Sequence, residues 1–243
     1  MPDERRLTGR RALITGASRG LGRAIAAAVR AEGAACALLG RSAADPPGAG
    51  GIAVRADVAD AAGVAAAVAE AAERLGGLDA VVCAAGIDCR WAPTGEMEVA
   101  EWDRTVAVNL SGTFYVCRAA LPHLVAAGGG AIVNVTSVAG LRAWPEDVAY
   151  NASKAGVELL TRTIAVEYGA QGVRANCVAP GVIDAGMTDT VTDPAARARM
   201  VDQHPLGRLG SAEEVAEAVV WLLSSKSAFT TGTTLAVDGG FLA

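Results

Sequence analysis

Short, wholly apolar runs alternate along this chain with Ala-rich stretches of helical length, and no other sequence feature constrains the fold as strongly. Ala12-Leu13-Ile14, Cys36–Leu39, Ile52–Val54, Ala80–Cys83, Ala131–Val135, Val173–Val178 and Thr234–Val237 read as seven strands. Between them, helices are predicted from Ala24 to a stop at Gly33, over 61–75 ending at Gly76-Gly77, over about 98–127, and over about 149–169. A last helix starts near Ser211, where Glu214 completes a capping box. Strands that are apolar throughout belong to a parallel sheet covered on both faces. With right-handed crossovers this predicts a single-domain α/β fold, a doubly wound parallel sheet of about seven strands with helices on both faces. No linker divides residues 1–243. Two stretches resist the pattern. Residues 42–51 combine Pro46-Pro47 with glycines and cannot hold a regular helix, and 184–208, with two prolines, is expected to be a mobile substrate segment.

Composition narrows the function classes. Hydrophobic residues make up 52% and charged residues 19%, enough for a sizeable core, and with 4% aromatics that core is mostly Ala, Val, Leu and Ile. A net charge of −5 without a basic cluster argues against nucleic acid as a partner. The start, Met1–Arg6, has no apolar h-region, and no apolar run reaches membrane-spanning length, so a cytoplasmic protein without a membrane partner is expected. The five cysteines (36, 83, 89, 117 and 177) form no C-x-x-C pair and read as reduced thiols. With His123 and His204 they make no zinc spacing, so no metal is expected.

Thr15-Gly16-Ala17-Ser18-Arg19-Gly20-Leu21-Gly22 lies between the first strand and the first helix. One reading is a phosphate cradle, in which glycines let backbone approach a pyrophosphate and the helix N-terminus offers free N–H groups. The spacing is G-x-x-x-G-x-G, with no Gly-Lys-Ser/Thr of a Walker loop. A rival comes from Gly16-Ala17-Ser18-Arg19-Gly20, which also spells the G-x-S-x-G nucleophile elbow of serine hydrolases. That reading needs a downstream acid and then a His, and neither His123 nor His204 follows an evident strand. A plain strand-to-helix turn without a ligand is the third.

Tyr150 and Lys154 are one helical turn apart on one face. An ammonium beside a phenol favours the phenolate, so the spacing predicts a Tyr150 pKa lowered toward neutrality and a pair able to move a proton. The alternative is an ordinary surface helix carrying one Tyr and one Lys. Ser137 follows the fifth strand, at the carboxyl edge where open α/β sheets bind ligands, and can hydrogen-bond a substrate oxygen or simply cap a turn. Asn109 sits in an apolar helical zone, where Asn implies a local polar task or a satisfied buried amide.

In order, Thr15-Gly16-x-x-x-Gly20-x-Gly22, Asp57, Ala84-Ala85-Gly86, Asn109, Ser137, Tyr150-x-x-x-Lys154, Pro180-Gly181 and Val237-Asp238-Gly239-Gly240 resemble the short-chain dehydrogenase/reductase family over residues 8–241. The resemblance implies a Rossmann-type fold and NAD(P)-dependent interconversion of a ketone and a secondary alcohol. It makes Tyr150 the general acid/base, Ser137 the group orienting the carbonyl, Lys154 a ligand of the nicotinamide ribose that lowers the Tyr150 pKa, and Asn109 the holder of a relay water. Cofactor contacts are expected from Gly16, Ser18, Arg19, Gly20, Leu21, Gly22, Arg41, Asp57, Val58, Cys83, Ala84, Ala85, Gly86, Tyr150, Lys154, Pro180, Gly181 and Ile183.

The chain departs from the family pattern at three places. Cys83 stands where Asn is usual, Ala185 where Thr often meets the carboxamide (with Thr188 the nearby substitute), and the helix after the second strand is shortened to the 42–51 loop. That second strand ends Leu39-Gly40-Arg41. Gly40 removes the acid that selects NAD(H), Arg41 and Arg19 offer forks for a 2′-phosphate, and Asp45 is the one nearby acid, so NADP(H) is expected over NAD(H). Residues 126–130 and 169–172, where carrier-protein reductases of the family carry basic residues, have no positive charge. A free small-molecule substrate is therefore expected near Arg142, Trp144 and Met187. A 3-oxoacyl carrier-protein reductase is the alternative, and a non-catalytic dinucleotide sensor the alternative of another class. Surplus apolar residues such as Val157, Leu159, Leu160 and Ile164, together with the resemblance, imply a homotetramer.

Overall fold

The computed structural model of the protein describes residues 5–41, 51–186, 188 and 191–243. Seven parallel strands, β1 (Arg11–Thr15), β2 (Ala35–Gly40), β3 (Ile52–Arg55), β4 (Ala80–Cys83), β5 (Gly130–Val135), β6 (Val173–Pro180) and β7 (Thr234–Val237), form one sheet in the order β3-β2-β1-β4-β5-β6-β7. Successive side chains leave opposite faces of a strand, and here both faces are covered. Ile14, Leu38, Val82 and Val133 join one buried cluster with Ile25 and Val29 of α1 (Gly20–Ala31) and Val215, Val219 and Leu223 of α7 (Ala212–Leu223). Leu13, Leu39, Val81 and Ile132 join the other with Val64 and Val68 of α2 (Ala61–Leu75) and Val116 and Leu124 of α4 (Gly112–Ala126). Burial on both faces is the physical reason that the strands are apolar throughout.

The helical zone predicted over 98–127 is three consecutive pieces: α3 (Val99–Val106), a π turn (Ala107–Ser111) and α4. The helix predicted near 149–169 is α5 (Val148–Tyr168). Within 184–208, expected to be irregular, α6 (Pro194–Asp202) forms because Asp193 caps its first amides and Pro194 stands at its start, where a missing N–H costs nothing. The 42–51 loop lies outside the described residues except for Gly51. Val157 and Ile164 are buried core rather than surplus surface, and Leu160 packs partly buried against the core. Leu159 is exposed, as are Val166 on the same helix and Phe114 on α4.

Because every strand is parallel, their carboxyl ends share one edge. The chain order reverses between β1 and β4, which opens a crevice at that edge. Thr15, Gly40, Cys83, Val135 and Pro180 all end strands there. Among the described residues no helix is long and apolar enough to cross a membrane.

Candidate active site

At the crevice, the Thr15 hydroxyl accepts hydrogen bonds from the amides of Ala84 and Ala85, both at 3.1 Å, and ties the β1–α1 turn to the end of β4. The approach is so close that Gly16, at φ +72°, has no room for a side chain. A Cβ there would lie 2.7 Å from the Ala85 nitrogen and 2.8 Å from the Ala84 oxygen. At Gly22 a Cβ would meet the Gly16 oxygen at 2.3 Å. Ser18 and Arg19 are exposed, Leu21 is half-buried, and Gly20 backs onto Gly186. Helices α2, α6 and α7 have side-chain caps from Asp60, Asp193 and Ser211, whereas α1 begins at Arg19 without one. Uncapped amides and the positive end of the helix dipole, facing a crevice that side chains cannot fill, fit a pyrophosphate.

The hydrolase reading fails on geometry. His204 is buried with one ring nitrogen 2.7 Å from the Met200 carbonyl and the other accepting from the Val182 amide. His123 lies in the last turn of α4, which leads into the start of β5 and therefore sits at the opposite edge of the sheet.

The other expected cofactor residues line the same edge. Gly40 faces open space and Arg41 is exposed beside it. Asp57 accepts from the Ala59 amide in a tight turn, and Val58 packs against Gly112, whose Cβ would come within 3.1 Å of it. Gly181, after Pro180, is pressed against Asp238 and His204, and Ile183 is buried and paired with Gly210. Thr188 does not offer a free hydroxyl, since it donates to the Ile183 carbonyl and accepts from the Ala185 amide. Asp45 and Met187 lie outside the described residues.

Ser137 and Tyr150 come together across this edge. The Ser137 oxygen accepts from the Ala139 amide at 3.1 Å, so it does cap a turn, and the hydroxyl lies near enough to the Tyr150 phenol to favour its phenolate. Lys154 is buried one turn along α5, its Nζ 5.4 Å from the centre of the Tyr150 ring and donating to the Val135 carbonyl at 3.0 Å. The expected lowering of the Tyr150 pKa by Lys154 is corrected. Burial raises it well above its ordinary value, Asp88, Asp147 and Cys89 add to the rise, and the nearby Ser137 hydroxyl opposes it. Burial in turn lowers Lys154 to about 8, against the weaker pull of Cys177, Glu158 and Cys83.

Asn109 lies in the π turn, a widened geometry frequent at functional sites. Its Oδ1 accepts from the Ile87 amide, and its Nδ2 donates to the Ile87 carbonyl and to Ser153 Oγ. Ser153 Oγ in turn donates to the Tyr150 carbonyl. A satisfied amide thus couples the β4 loop to the first turn of α5. Between Asn109 Oδ1 and Lys154 Nζ stands Gly86, whose Cβ would be 3.4 and 3.5 Å from those atoms.

Cys83 is buried behind the crevice, 4.0 Å from the Cys117 sulfur, and their hydrogen bond together with burial pushes its thiol up. Its side chain points into the helix layer, where Cys117 donates to Asn134 and Asn134 to Thr161. Sequence reasoning missed one group. The Cys89 thiol donates to Asp147 at 3.0 Å, and the Cys89 amide donates to Asp88. The only signal was an acid three residues before Tyr150. Trp144 stacks on Phe241 with ring centres 5.4 Å apart, and Arg142 lies over the same ring.

A family model described as enoyl-(acyl carrier protein) reductase matches residues 16–242. The chain belongs to the short-chain dehydrogenase/reductase family. It is 42% identical to the cis-4-hydroxycyclohexanecarboxylate dehydrogenase of Sinomonas cyclohexanicum, with 96% of each chain covered. It is 41% identical to the 2-(S)-hydroxypropyl-CoM dehydrogenase 3 of Xanthobacter autotrophicus, with 95% of each covered. A gluconate 5-dehydrogenase from Burkholderia cenocepacia, solved in complex with NADP and tartrate, superposes with a TM-score of 0.93 at 36% identity, over 99% of this chain and 98% of that one. These relatives are dehydrogenases of small hydroxy compounds, and the carrier-protein alternative is not favoured.

The buried lysine of this dehydrogenase has a stability consequence. Between about 8 and its ordinary 10.5, the unfolded chain holds a proton on Lys154 that the folded, cofactor-free chain does not, so this group makes stability rise with pH across that window. Lys154→Met removes the cost of burying the cation. The variant is expected to melt higher than the wild type at pH 7 without cofactor, with the difference shrinking toward pH 10, in thermal melts across pH.

Proposed function

We propose that the chain interconverts a free small-molecule ketone and a secondary alcohol, with NADP(H) preferred over NAD(H). The observation that carries this reading is the meeting of Ser137 and Tyr150 at the crevice, with Lys154 one turn behind. Ser137 and Tyr150 together hold the substrate oxygen. In reduction the Tyr150 phenol, protonated at neutral pH in the cofactor-free protein, gives its proton to that oxygen; in oxidation it takes the hydroxyl proton. Hydride exchange at the carbinol carbon is the chemistry supplied by the bound dinucleotide.

Lys154, whose Nζ is parked on the Val135 carbonyl, is positioned to hold the nicotinamide ribose and to stabilise the phenolate. The gap kept by Gly86 between Asn109 Oδ1 and Lys154 Nζ suits a relay water, which gives Asn109 a second task beside its tie to Ile87 and Ser153. The pyrophosphate would be held by Gly16, Ser18, Arg19, Gly20, Leu21 and Gly22, the adenosine end by Asp57 and Val58, the middle of the dinucleotide by Cys83, Ala84, Ala85 and Gly86, and the nicotinamide end by Pro180, Gly181 and Ile183.

Residues 1–243 act as one dinucleotide-binding and catalytic unit, and 184–208 moves over the substrate. Five buried, unpaired thiols suit the reducing cytoplasm. Phe114, Leu159 and Val166 expose apolar surface on α4 and α5, which supports a homotetramer through these helices. Light scattering at micromolar concentration is expected to give about four times the chain mass, and a monomer mass refutes the assembly.

Tyr150→Phe deletes the proton donor and leaves Lys154 in place. It is expected to lower kcat by at least about 100-fold in steady-state assays while cofactor titration still shows binding. For the coenzyme, a charge-assisted contact from Arg41 to the 2′-phosphate contributes about 1.5–3 kcal/mol, or roughly 10- to 100-fold in affinity. Arg41→Ala is therefore expected to raise the KM for NADPH by that factor and to leave the KM for NADH almost unchanged. A wild type that prefers NADH sinks this assignment.

A further inference from the structure

Two hydrogen bonds fix the protonation state of His204. Its Nδ1 lies 2.7 Å from the Met200 carbonyl oxygen, which can only accept, so Nδ1 carries a proton. Its Nε2 lies 3.2 Å from the Val182 amide nitrogen, which can only donate, so Nε2 carries none. The ring is therefore the neutral Nδ1–H tautomer, and its two nitrogens hold different parts of the chain. Met200 belongs to α6, within the 184–208 segment. Val182 follows Pro180-Gly181 at the carboxyl end of β6. The proton chemistry at Tyr150 leaves this histidine without a task.

The ring is tightly enclosed. His204 is 3% exposed. A Cβ on Gly181 would lie 2.9 Å from Nε2 and 2.9 Å from the Asp238 Cα, and one on Gly239 would lie 3.5 Å from the ring carbon Cδ2. Phe241 covers the imidazole with ring centres 5.4 Å apart. Val182 is held on its other side as well, since its carbonyl accepts from the Gly210 amide at 3.0 Å. While Nε2 accepts, residues 181–183 are thus one fixed turn at the sheet edge. A proton on Nε2 turns that acceptor into a donor facing another N–H at 3.2 Å, with Gly181 pressed against it, so the ring or the turn must move.

The charged side chains on the surrounding elements do not offset this. Asp238 accepts from the Gly240 and Leu242 amides, one on each carboxylate oxygen. Arg142 lies over the Phe241 ring. Asp184 pairs with Arg197, Asp193 with Arg199, and Glu214 with Arg208, while Asp202 is exposed on α6. Among the described residues, Met200 and Val182 are the hydrogen-bond partners of the imidazole.

We infer that His204 is a positioning residue for the nicotinamide end of the dinucleotide: neutral, it holds the turn at 181–183 in binding geometry, and on taking up a second proton it releases the turn and weakens the cofactor. The inference rests on the reading of that turn as part of the cofactor site. His204 acts through Val182 and Gly181 and touches no reacting atom. Linkage makes the effect reciprocal, so bound cofactor opposes protonation of the ring.

The test is calorimetric titration of the cofactor-free protein with NADP at pH 7.5 and 5.5. The wild type is expected to bind at least about fivefold more weakly at the lower pH. The 2′-phosphate, whose second ionisation lies near about 6, and Asp238 also titrate on the acid side, and His204→Gln separates them from the ring. Its amide oxygen can accept from Val182 and takes up no proton, so its loss of affinity between the two pH values is expected to be at least about threefold smaller than that of the wild type. His204→Phe fills the space without an acceptor and is expected to bind at least about threefold more weakly than the wild type at pH 7.5. The chain has only two histidines, so ring 15N signals read His204 directly once His123→Gln has assigned them. Its titration midpoint is expected to move to lower pH with saturating NADP, a result that needs no substitution of His204 and stands even if both variants fail to fold. A Gln variant with the pH dependence of the wild type overturns the inference, as does a Phe variant that binds as tightly as the wild type, or a ring titration that NADP does not move. The reading of the site fails separately, and takes the inference with it, if the wild type binds no dinucleotide at pH 7.5.

Discussion

The hydroxyl of Thr15 accepts two backbone amides, Ala84 and Ala85, and the site depends on that junction. It joins the two strands between which the chain order reverses, and it does so at a distance that only Gly16 tolerates. Everything functional hangs from the same edge: the turn into α1, the loop leading to Gly86 and Ile87, and through Asn109 and Ser153 the first turn of α5 that carries Tyr150. A side chain at Gly16 or Gly22 would push this junction apart and close the crevice, which is why the glycines fall where they do.

Burial works on the two catalytic side chains in opposite senses. It holds the Tyr150 phenol protonated and lowers the pKa of Lys154 to about 8. A buried lysine whose ammonium has a strand carbonyl and the Tyr150 ring beside it is costly to the fold, and its retention makes sense through the reaction rather than through stability. The thiols deeper in the helix layer have no such role. Cys83 and Cys177 are pushed up by their surroundings and behave as small apolar side chains that hydrogen-bond weakly to their neighbours.

Much of this was legible in the chain itself. Wholly apolar strands announced a two-faced parallel sheet, α2 ran over 61–75 and stopped at Gly76 as expected, and Ser211 with Glu214 made the capping box its spacing promised. Helix α6 was not legible, because the two prolines within 184–208 read as breakers, whereas Pro194 stands at the helix start directly after the Asp193 cap. The apolar residues of α5 were misjudged in part, since periodicity cannot say which of two apolar faces meets the sheet. Val157 and Ile164 turned inward, while Val166 stayed out.

The sequence by itself determined the order of strands and helices, the glycine turn and the identity of the Tyr–Lys pair, because these depend on local spacing and on steric rules that hold within a few residues. Only the tertiary structure decided the electrostatics. Tyr150 is raised rather than lowered because burial and the carboxylates of Asp88 and Asp147, one of them brought in from 62 residues away in the chain, act on it more strongly than the lysine one turn along its own helix. Charge interactions follow distance through space and the surrounding dielectric, and neither can be read from position along the chain.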